Sequence, residues 1–295
     1  MPDWLNSVLL VNVVDGLAVG GLLFLLAVGL TMIFGLVDML NLAHGAVYMA
    51  GGYAAYMLLG TQSSPLLTFA VVALGALALG GVLGGGLTAA IRPIARRGHL
   101  DQALLTLGLG ILVSEAVLLL TDRGFHSVAA PGFLANSVPL AGESYPLYRL
   151  AVIAVSLVVA AVTYYVFERT RAGSLARATV DDPEMVAAMG VDVRRVRTAV
   201  IVAGSALAAL AGMLGAPLLN LRPGVDVEVL VLALIVVVVG GLGSIKGAVV
   251  GALIIGQVQT LGVSLFPEIA AYALFGVMAL VLLVRPGGLF GREAS

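Results

Sequence analysis

Three polar side chains that can hold a solute or carry charge lie within one short stretch of apolar sequence. Asp38, Asn41 and His44 supply a carboxylate, an amide and an imidazole between Gly35 and Gly45. An imidazole can shift charge in a gate, and all three groups can line a path for a polar solute. In lipid, polar or irregular backbone survives only where protein or a water-filled cavity surrounds it. The stretch therefore predicts a broken membrane helix that lines a pathway.

Each of these side chains also has a structural interpretation. His44 can bond a carbonyl oxygen of a neighbouring helix and brace the broken segment, and Asn41 can cap the half-helix that follows. Asp38 costs little at the membrane interface, but it needs a partner or water if it lies deeper. Gly45 and the alanines beside it favour tight packing. We therefore expect a bracing role for His44 and a capping role for Asn41.

Glu115 is a further candidate, because it lies inside the predicted apolar span 102–121. It precedes the end of that span by about six residues, or roughly 9 Å at the helical rise of 1.5 Å per residue. An ionisable group at that depth marks a functional site by default. The alternatives are a side chain that extends outwards to the membrane surface, or a bridge to another subunit.

The remaining candidates, Lys246, Gly247 and Gln257, lie in the second half of the sequence. Lys246 is the only lysine of the chain and follows a glycine-rich turn. It can extend to the membrane interface or face the pathway. Gln257 and Gln259 stand roughly 200° apart around a helix, so at most one of them faces a pathway.

A short internal repeat connects two of these regions. Ala-His-Gly-Ala-Val at residues 43–47 is similar to Ile-Lys-Gly-Ala-Val at residues 245–249. Transporters are often built from repeats whose interrupted segments meet near the middle of the membrane. The repeat predicts that the segments around Gly45 and Gly247 form opposite walls of one pathway.

The composition indicates which elements position these residues. The chain of 295 residues is 61% hydrophobic and 11% charged, against about 25% charged in soluble domains. It therefore predicts an all-α polytopic membrane protein, with about eight transmembrane helices plus a broken or re-entrant segment at about 30–45. The predicted spans lie between Asp15 and Asp38, in the two halves of 39–91 (divided near 60–65), and at 102–121, 150–167, 198–220, 228–240, 247–264 and 268–284.

The distribution of arginine predicts the orientation, because Lys and Arg concentrate in cytoplasmic loops. Loop 168–197 carries six arginines and is predicted to be cytoplasmic, with the basic loop after residue 91 and the C-terminal tail. Loops 122–149 and 221–228 are predicted to be external. Nine crossings then place the N-terminus outside.

Several kinds of chemistry are excluded by residues that are missing or scattered. The chain has no cysteine, which excludes disulfides, thiolate metal sites and thiol catalysis. The three histidines are far apart in sequence, so no metal site is expected, and no basic aromatic-rich patch predicts nucleic-acid binding. Lys246 is followed by Gly-Ala and cannot belong to a phosphate-binding loop. We therefore expect no catalytic residues, no bound cofactor and no ATP hydrolysis by this chain.

Residues 182–190, within the large cytoplasmic loop, predict a short helix. Asp182 or the aspartate before it can cap this helix, Pro183 suits its first turn, and Gly190 ends it. Glu184 near its start complements the helix dipole. Such a helix either packs on its own domain as part of a solvated connector or presents a surface to a partner.

Four sequence elements, in order along the chain, resemble those of one group of transport proteins. Three of them are Asn-Leu-Ala-His-Gly at 41–45, Gly-Gly-Leu-Gly-Ser-Ile-Lys-Gly-Ala at 240–248 and Arg-Pro-Gly-Gly-Leu-Phe-Gly at 285–291. They resemble elements of the ABC transporter permeases of the branched-chain amino acid (LivH-type) family. The fourth comprises Glu184, Ala187, Ala188 and Gly190, and it is similar to the Glu-Ala-Ala…Gly coupling loop of ABC importer permeases, although two residues separate Glu184 from the alanines. Leu42 and Lys246 replace the Phe and Pro that the family usually has.

This resemblance implies a fold and a set of contacts. Residues 1–295 are expected to form a single transmembrane permease domain of the ABC importer permease fold, with a cytoplasmic coupling loop at about 168–197. Glu184, Ala187, Ala188 and Gly190 are expected to contact an ATPase. The implied partners are a second related permease subunit, two cytoplasmic ABC ATPase subunits, an extracytoplasmic solute-binding protein and the lipid of a bacterial or archaeal cell (inner) membrane.

The resemblance also implies a substrate, and alternatives remain open at this point. The expected cargo is a branched-chain amino acid, and urea or a short amide is the alternative within the same family. If Lys246 faces the pathway, the preferred charge of the substrate would differ. An autonomous secondary transporter or channel is the alternative of another class, and it is disfavoured because the charges predicted within the membrane are few and unpaired in sequence.

Overall fold

The computed structural model describes residues 3–59, 64–94, 98–140 and 142–291, the side chains of 3–8 and 271 excepted. Most of these residues are helical, which confirms the all-α fold class. The helices are α1 (Asp3–Val37), α2 (His44–Leu59), α3 (Pro65–Leu79), α4 (Gly85–Ile91), α5 (His99–Leu120), α6 (Leu147–Arg169), α7 (Arg171–Asp181), α8 (Pro183–Ala188), α9 (Val193–Leu219), α10 (Val225–Gly240), α11 (Ile245–Leu265) and α12 (Ala270–Val284).

Short irregular elements complete the described chain. A π-helical segment (Gly80–Gly84) joins α3 to α4, and 3-10 turns occupy Arg92–Ile94 and Gly132–Leu134. Strands β1 (Ser137–Leu140) and β2 (Glu143–Pro146) form an antiparallel hairpin in which Leu140 pairs with Glu143.

Within the described residues, six helical segments are long and apolar enough to cross a membrane. They are the greater part of α1, the α3–α4 segment, α5, α6, α9 and α11. Helices α2 and α10 have 16 residues each and α12 has 15, so these three are shorter. Together these segments coincide with the predicted spans and confirm a multi-pass membrane protein.

The two ends of the helical bundle differ in charge. We name the end that carries α7 and α8 the inner end, because its loop holds six arginines, and the opposite end the outer end. Helix α1 starts at the outer end, where Asp15 accepts a hydrogen bond from the Tyr145 hydroxyl at 2.8 Å and pairs with Arg149. It finishes at the inner end, beside Gly243. The start of α1 thus lies at the end opposite the arginine-rich loop, and the external side of the N-terminus stays a prediction.

Helix α1 forms the centre of the bundle and packs against α6, α9, α10 and α11. Glycines allow this packing, as is common between membrane helices. A Cβ atom added to Gly29 would lie 2.6 Å from the carbonyl oxygen of Gly204, and one added to Gly256 would lie 2.5 Å from the Cα atom of Gly20. Both distances are too short for any side chain, so the helix backbones touch directly.

The chain breaks between α1 and α2, as predicted. Asp38 follows the last residue of α1 with a φ of 56°, a left-handed conformation that Asp and Asn tolerate better than most residues. The segment 38–43 then returns into the bundle, and α2 begins at His44.

A second break, which the sequence did not predict, separates α9 from α10. Asn220 follows α9 with a φ of 55°, and Leu221 exchanges two backbone hydrogen bonds of 2.9 Å with His126. The chain then turns at Gly224 and α10 begins at Val225. The predicted external loop 221–228 is therefore helical from residue 225, and the fold contains two broken segments instead of one.

The glycine-rich segments 240–248 and 285–291, which resemble elements of the permease family, lie together at the inner end. A Cβ atom added to Gly247 would lie 2.1 Å from the carbonyl oxygen of Gly240, where α10 ends. The residues after α12 return to the same place, because Leu289 and Phe290 donate backbone hydrogen bonds of 2.9 Å to the carbonyl oxygens of Val239 and Gly240. Residues 285–291 thus supply donors that the last turn of α10 lacks.

Candidate functional site

Two half-helices, α2 and α10, begin face to face beside the middle of α5. A Cβ atom added to Gly45 would lie 2.0 Å from the carbonyl oxygen of Asp226, so the first turns of the two helices are in backbone contact. Helix α5 flanks them, since Gly110 lies against Ala43 and the Ser114 hydroxyl donates a hydrogen bond of 2.6 Å to the Asp226 carboxylate. We name this place the junction.

The two half-helices leave the junction in opposite directions. Helix α2 runs to the outer end, where the rings of Tyr56 and His126 are 4.4 Å apart. Helix α10 runs to the inner end, where Gly240 meets Gly247. Each helix N-terminus carries a partial positive charge, so two such charges meet at the junction, and the carboxylate of Asp226 lies in the first turn of α10.

Asn41 and Thr106 hold the first break in shape. The side-chain oxygen of Asn41 accepts the backbone N–H of Ala43 at 3.1 Å, just before α2 begins. The Thr106 hydroxyl accepts the N–H of Leu42 at 3.1 Å, and its single proton lies between the carbonyl oxygens of Ala103 at 2.9 Å and Leu40 at 3.2 Å. The Asn41 bond closes the turn that leads into α2, so Asn41 accepts from a residue just before the helix and not from an N–H of α2 itself. The side-chain N–H₂ group of Asn41 is buried without a partner among the described residues.

His44 has the geometry of a brace. Its Nε2 atom lies 3.0 Å from the carbonyl oxygen of Leu26 on α1, and the side chain is fully buried. A carbonyl oxygen can only accept, so Nε2 carries the proton in this contact and Nδ1 is left as an acceptor. Nδ1 has no partner among the described residues.

Asp38 lies at the inner end, away from the junction. Its side chain is exposed, and its carboxylate is 3.7 Å from Nε2 of His99. The ring also contacts the Asp38 backbone, with Nδ1 3.1 Å from the carbonyl oxygen. These contacts fasten the end of α1 to the start of α5.

Glu115 follows Ser114 in sequence but faces away from the junction. Its carboxylate pairs with the guanidinium of Arg123, and about half of its side chain is exposed. The geometry matches the alternative of an acid that extends outwards from the span. The structure therefore does not bring Glu115 together with Asn41 or His44.

Lys246, Gly247 and Gln257 are also separate from the junction. Lys246 is exposed at the inner end, with Nζ 5.9 Å from the centre of the Tyr164 ring. Gly247 packs on α10 instead of on Gly45, so the two halves of the predicted sequence repeat do not face each other. Gln257 lies towards the outer end, where its side-chain N–H donates a hydrogen bond of 2.9 Å to the carbonyl oxygen of Val13.

Helix α8 matches the predicted short helix. The carboxylate of Asp182 accepts the N–H of Met185 at 2.9 Å, which is an N-cap, and Pro183 is the first helical residue. Val186 is 2% exposed and anchors the helix. The opposite face is open, and it carries Glu184, Ala187, Ala188, Met185 and Met189, followed by Gly190 with a φ of 82°.

Sequence reasoning missed three residues of the junction: Thr106, Ser114 and Asp226. Thr106 and Ser114 are small polar residues at ordinary helix-packing positions, and only the distant broken segments give them a role. Asp226 lies in the segment 221–228 that the sequence predicts as an external loop, although Gly224 before an apolar run is a usual helix start.

Comparisons with known proteins place the chain in one family. The family described as "Branched-chain amino acid transport system / permease component" matches residues 12–284. The high-affinity branched-chain amino acid transport system permease protein BraD of Pseudomonas aeruginosa is 31% identical over 293 residues, which are 95% of each chain. The permease protein LivH of Salmonella typhimurium is 32% identical over 294 residues, which are 94% of each chain.

A relative with a different name extends this likeness. The probable branched-chain amino acid transport permease protein LivM of Methanocaldococcus jannaschii is 31% identical over 214 residues, which are 63% of this chain and 60% of LivM. The family match covers nearly all the described helices. The chain belongs to the family of permease components of branched-chain amino acid transport systems.

Proposed function

We propose that this chain is the membrane-spanning permease subunit of an ATP-driven importer for branched-chain amino acids, and that its junction lies on the translocation path. The observation that carries the proposal is the contact of Gly45 with Asp226, where two half-helices begin beside the middle of α5. Irregular backbone at such depth is tolerated where it lines a cavity or is enclosed by protein. Interrupted helices of this kind form the substrate sites of many transporters.

Buried polar atoms support this location for the path. The side-chain N–H₂ of Asn41 and the Nδ1 atom of His44 have no partner among the described residues. A buried polar group without a partner costs about 1–3 kcal/mol. A polar solute or water that reaches these atoms during transport would remove that cost.

The charges of the junction support an amino acid as the cargo. Two helix N-termini favour a carboxylate, and the carboxylate of Asp226 favours an ammonium group. BraD and LivH are named as permeases for branched-chain amino acids, so leucine, isoleucine and valine are the proposed substrates. Urea and short amides carry no net charge, and no observation on the described residues favours them, or favours an autonomous secondary transporter or channel.

The conformational change driven by ATP hydrolysis would be transmitted to this chain through α8. We assign Glu184, Ala187, Ala188 and Gly190 to the contact with an ATPase subunit, because they lie on the open face of α8 while Val186 anchors the other face. Helix α7 contacts α1, α8 and α9, so a pull on α8 reaches the central helix through α7. ATP would be hydrolysed by the partner subunits, and this chain would bind no cofactor and have no ATPase site.

The proposed assembly lies in the inner membrane of a bacterial or archaeal cell. It contains this chain, a second related permease, two cytoplasmic ABC ATPases and an extracytoplasmic solute-binding protein. The similarity of this chain to LivM, a permease protein with a different name, supports the proposal of a second, related permease subunit.

Reconstitution tests the proposal. Proteoliposomes that hold both permeases and both ATPases should take up leucine only when ATP and the solute-binding protein are both present. Gly190→Arg should abolish uptake, because a φ of 82° favours glycine and a long side chain would stand on the docking face. Uptake of leucine by this chain alone, driven by an ion gradient, would overturn the proposal.

A further inference from the structure

A cavity of about 570 Å³ opens at the inner end of the bundle. Cavities of roughly 300–1,000 Å³ are the usual size for small-molecule sites. Its walls come from the last turns of α1 with Asp38, the end of α6, helix α7, the start of α9, residues 242–246 at the start of α11, and Phe290. The cavity lies apart from the junction, since neither Gly45 nor Asp226 lines it.

The lining of this cavity carries charges of both signs. Its cations are Arg177, Arg197 and Lys246, and its acids are Asp38, Glu168 and Asp181. Some are engaged, because Arg177 donates to the carbonyl oxygen of Phe167 and Asp38 contacts His99.

Three of the charged groups stay open to a ligand. Arg197, Lys246 and Glu168 are exposed, and none of them forms an ion pair within 4.0 Å in the part of the chain that the structure describes. Two cations and one acid are therefore available to a ligand that bears both a carboxylate and an ammonium group.

The rest of the lining is apolar. Met32, Phe34, Phe167 and Phe290 contribute to the wall, so a site of mixed charge adjoins a surface that an aliphatic side chain can cover. A free phosphate or a sugar would leave this apolar surface unused, whereas a zwitterion with an aliphatic side chain uses both parts.

We propose that this cavity is a second, inner binding site for a zwitterion with a small aliphatic side chain, that is, for the amino acid that the importer delivers. The ligand carboxylate would bind Arg197 and Lys246, and its ammonium group would bind Glu168. The proposal rests on the proposed function for the identity of the amino acid, while the site itself rests on the charges and shape of the cavity.

The position of the cavity gives the site a regulatory consequence. Asp181 ends α7 and lines the cavity, and the next residue, Asp182, caps α8. A ligand held by α6, α9 and the start of α11 would fill the space against α7 and restrain the segment through which the ATPase acts. High cytoplasmic concentrations of the amino acid would thereby slow further import.

The experiment uses the complete complex in vesicles whose inner end faces the medium, and in detergent. Binding of radiolabelled leucine to the detergent-solubilised complex without the solute-binding protein is measured first. In the vesicles, the solute-binding protein is enclosed and the ATPase rate is followed as leucine is added outside. Glycine, 4-methylpentanoate and isoamylamine serve as probes that lack the aliphatic group, the ammonium group and the carboxylate, respectively.

The expected result is saturable leucine binding and a slower ATPase rate, with each probe at least tenfold weaker. Lys246→Ala and Arg197→Ala should each weaken inhibition by leucine at least tenfold, while Arg169→Ala, an exposed arginine outside the cavity, should not change it. The inner site would be overturned if leucine does not inhibit a complex that still imports it, or if both cavity variants are inhibited as strongly as the parent. Either outcome would leave the proposed function intact. Saturable leucine binding that Lys246→Ala and Arg197→Ala each weaken, in a complex that cannot import leucine, would instead overturn the proposed function and support the inner site.

Discussion

Substitution of Gly45 by alanine tests whether the contact between the two half-helices matters for transport. The added Cβ atom would lie 2.0 Å from the carbonyl oxygen of Asp226, and Cβ contacts shorter than 3.0 Å essentially never occur. The starts of α2 and α10 must therefore separate by at least about 1 Å. Neither group can rotate away, because one is backbone and the other is fixed on a helix.

The cost can be estimated from similar overpacking. Forcing one extra methyl group into a packed interior typically costs about 1–3 kcal/mol. We therefore expect Gly45→Ala to lower the thermal unfolding midpoint of the purified complex by several degrees, and to reduce ATP-dependent leucine uptake per folded complex at least tenfold.

Gly108→Ala is the matched control, because a Cβ atom there meets nothing within 4 Å. It lies on α5 near the junction, and alanine should favour the helix by up to about 1 kcal/mol. Normal uptake in Gly108→Ala with loss in Gly45→Ala supports the junction. If Gly45→Ala transports leucine at the normal rate and unfolds at the normal temperature, the backbone contact has no role and the reasoning is refuted.

Three further predictions concern other parts of the structure. Glu184→Lys should abolish co-purification with the ATPase subunits, whereas Glu143→Lys in the β-hairpin should not; intact complexes in both would remove α8 from the docking surface. Ser114→Ala should cost about 1–3 kcal/mol, because it leaves the Asp226 carboxylate without its 2.6 Å donor, and a thermal midpoint equal to the parent's would contradict this. Burial, together with the hydrogen bond to α1, raises the pKa of Tyr145 above its ordinary value of 10. Its protonated form thus stabilises the fold below pH 10 and that stability is lost as the pH rises further; Tyr145→Phe should show a smaller loss above pH 10 in unfolding measurements, and an unchanged slope would contradict the assignment.

The first break was predictable because its residues conflict with their surroundings. Asn41 and His44 are polar in a stretch that is otherwise long and apolar enough to cross a membrane, and such residues need an enclosed place. Asp38 lies where α1 ends and is exposed at the inner end. The cap of α8 was predictable for a similar local reason, since Asp182 and Pro183 have the residue types of a helix start.

The second break was not predictable in the same way. Residues 220–224 read Asn-Leu-Arg-Pro-Gly, which is the composition of an ordinary surface turn. Only tertiary contacts, the pairing of Leu221 with His126 and of Ser114 with Asp226, show that the chain turns back into the bundle here.

The direction of a side chain around a membrane helix was also beyond the sequence. Apolar residues surround Glu115 and Ser114 alike, so no periodic pattern distinguishes the face towards the junction from the face towards Arg123. The sequence likewise does not show which residue each interface glycine packs against. The similarity of residues 43–47 to 245–249 is real in sequence, but Gly45 packs on Asp226 and Gly247 packs on Gly240.

The opposed directions of the two half-helices also limit how strongly their own dipoles can respond to membrane voltage. Helices α2 and α10 have 16 residues each and point away from each other, so their macrodipoles are similar in size and opposite in direction. Moving one elementary charge across a potential of 100 mV changes its energy by about 2.3 kcal/mol. The effects of that potential on two antiparallel dipoles that rotate together cancel. An alternation that rotates α2 and α10 as a pair would therefore transfer almost no gating charge through the dipoles of these two helices.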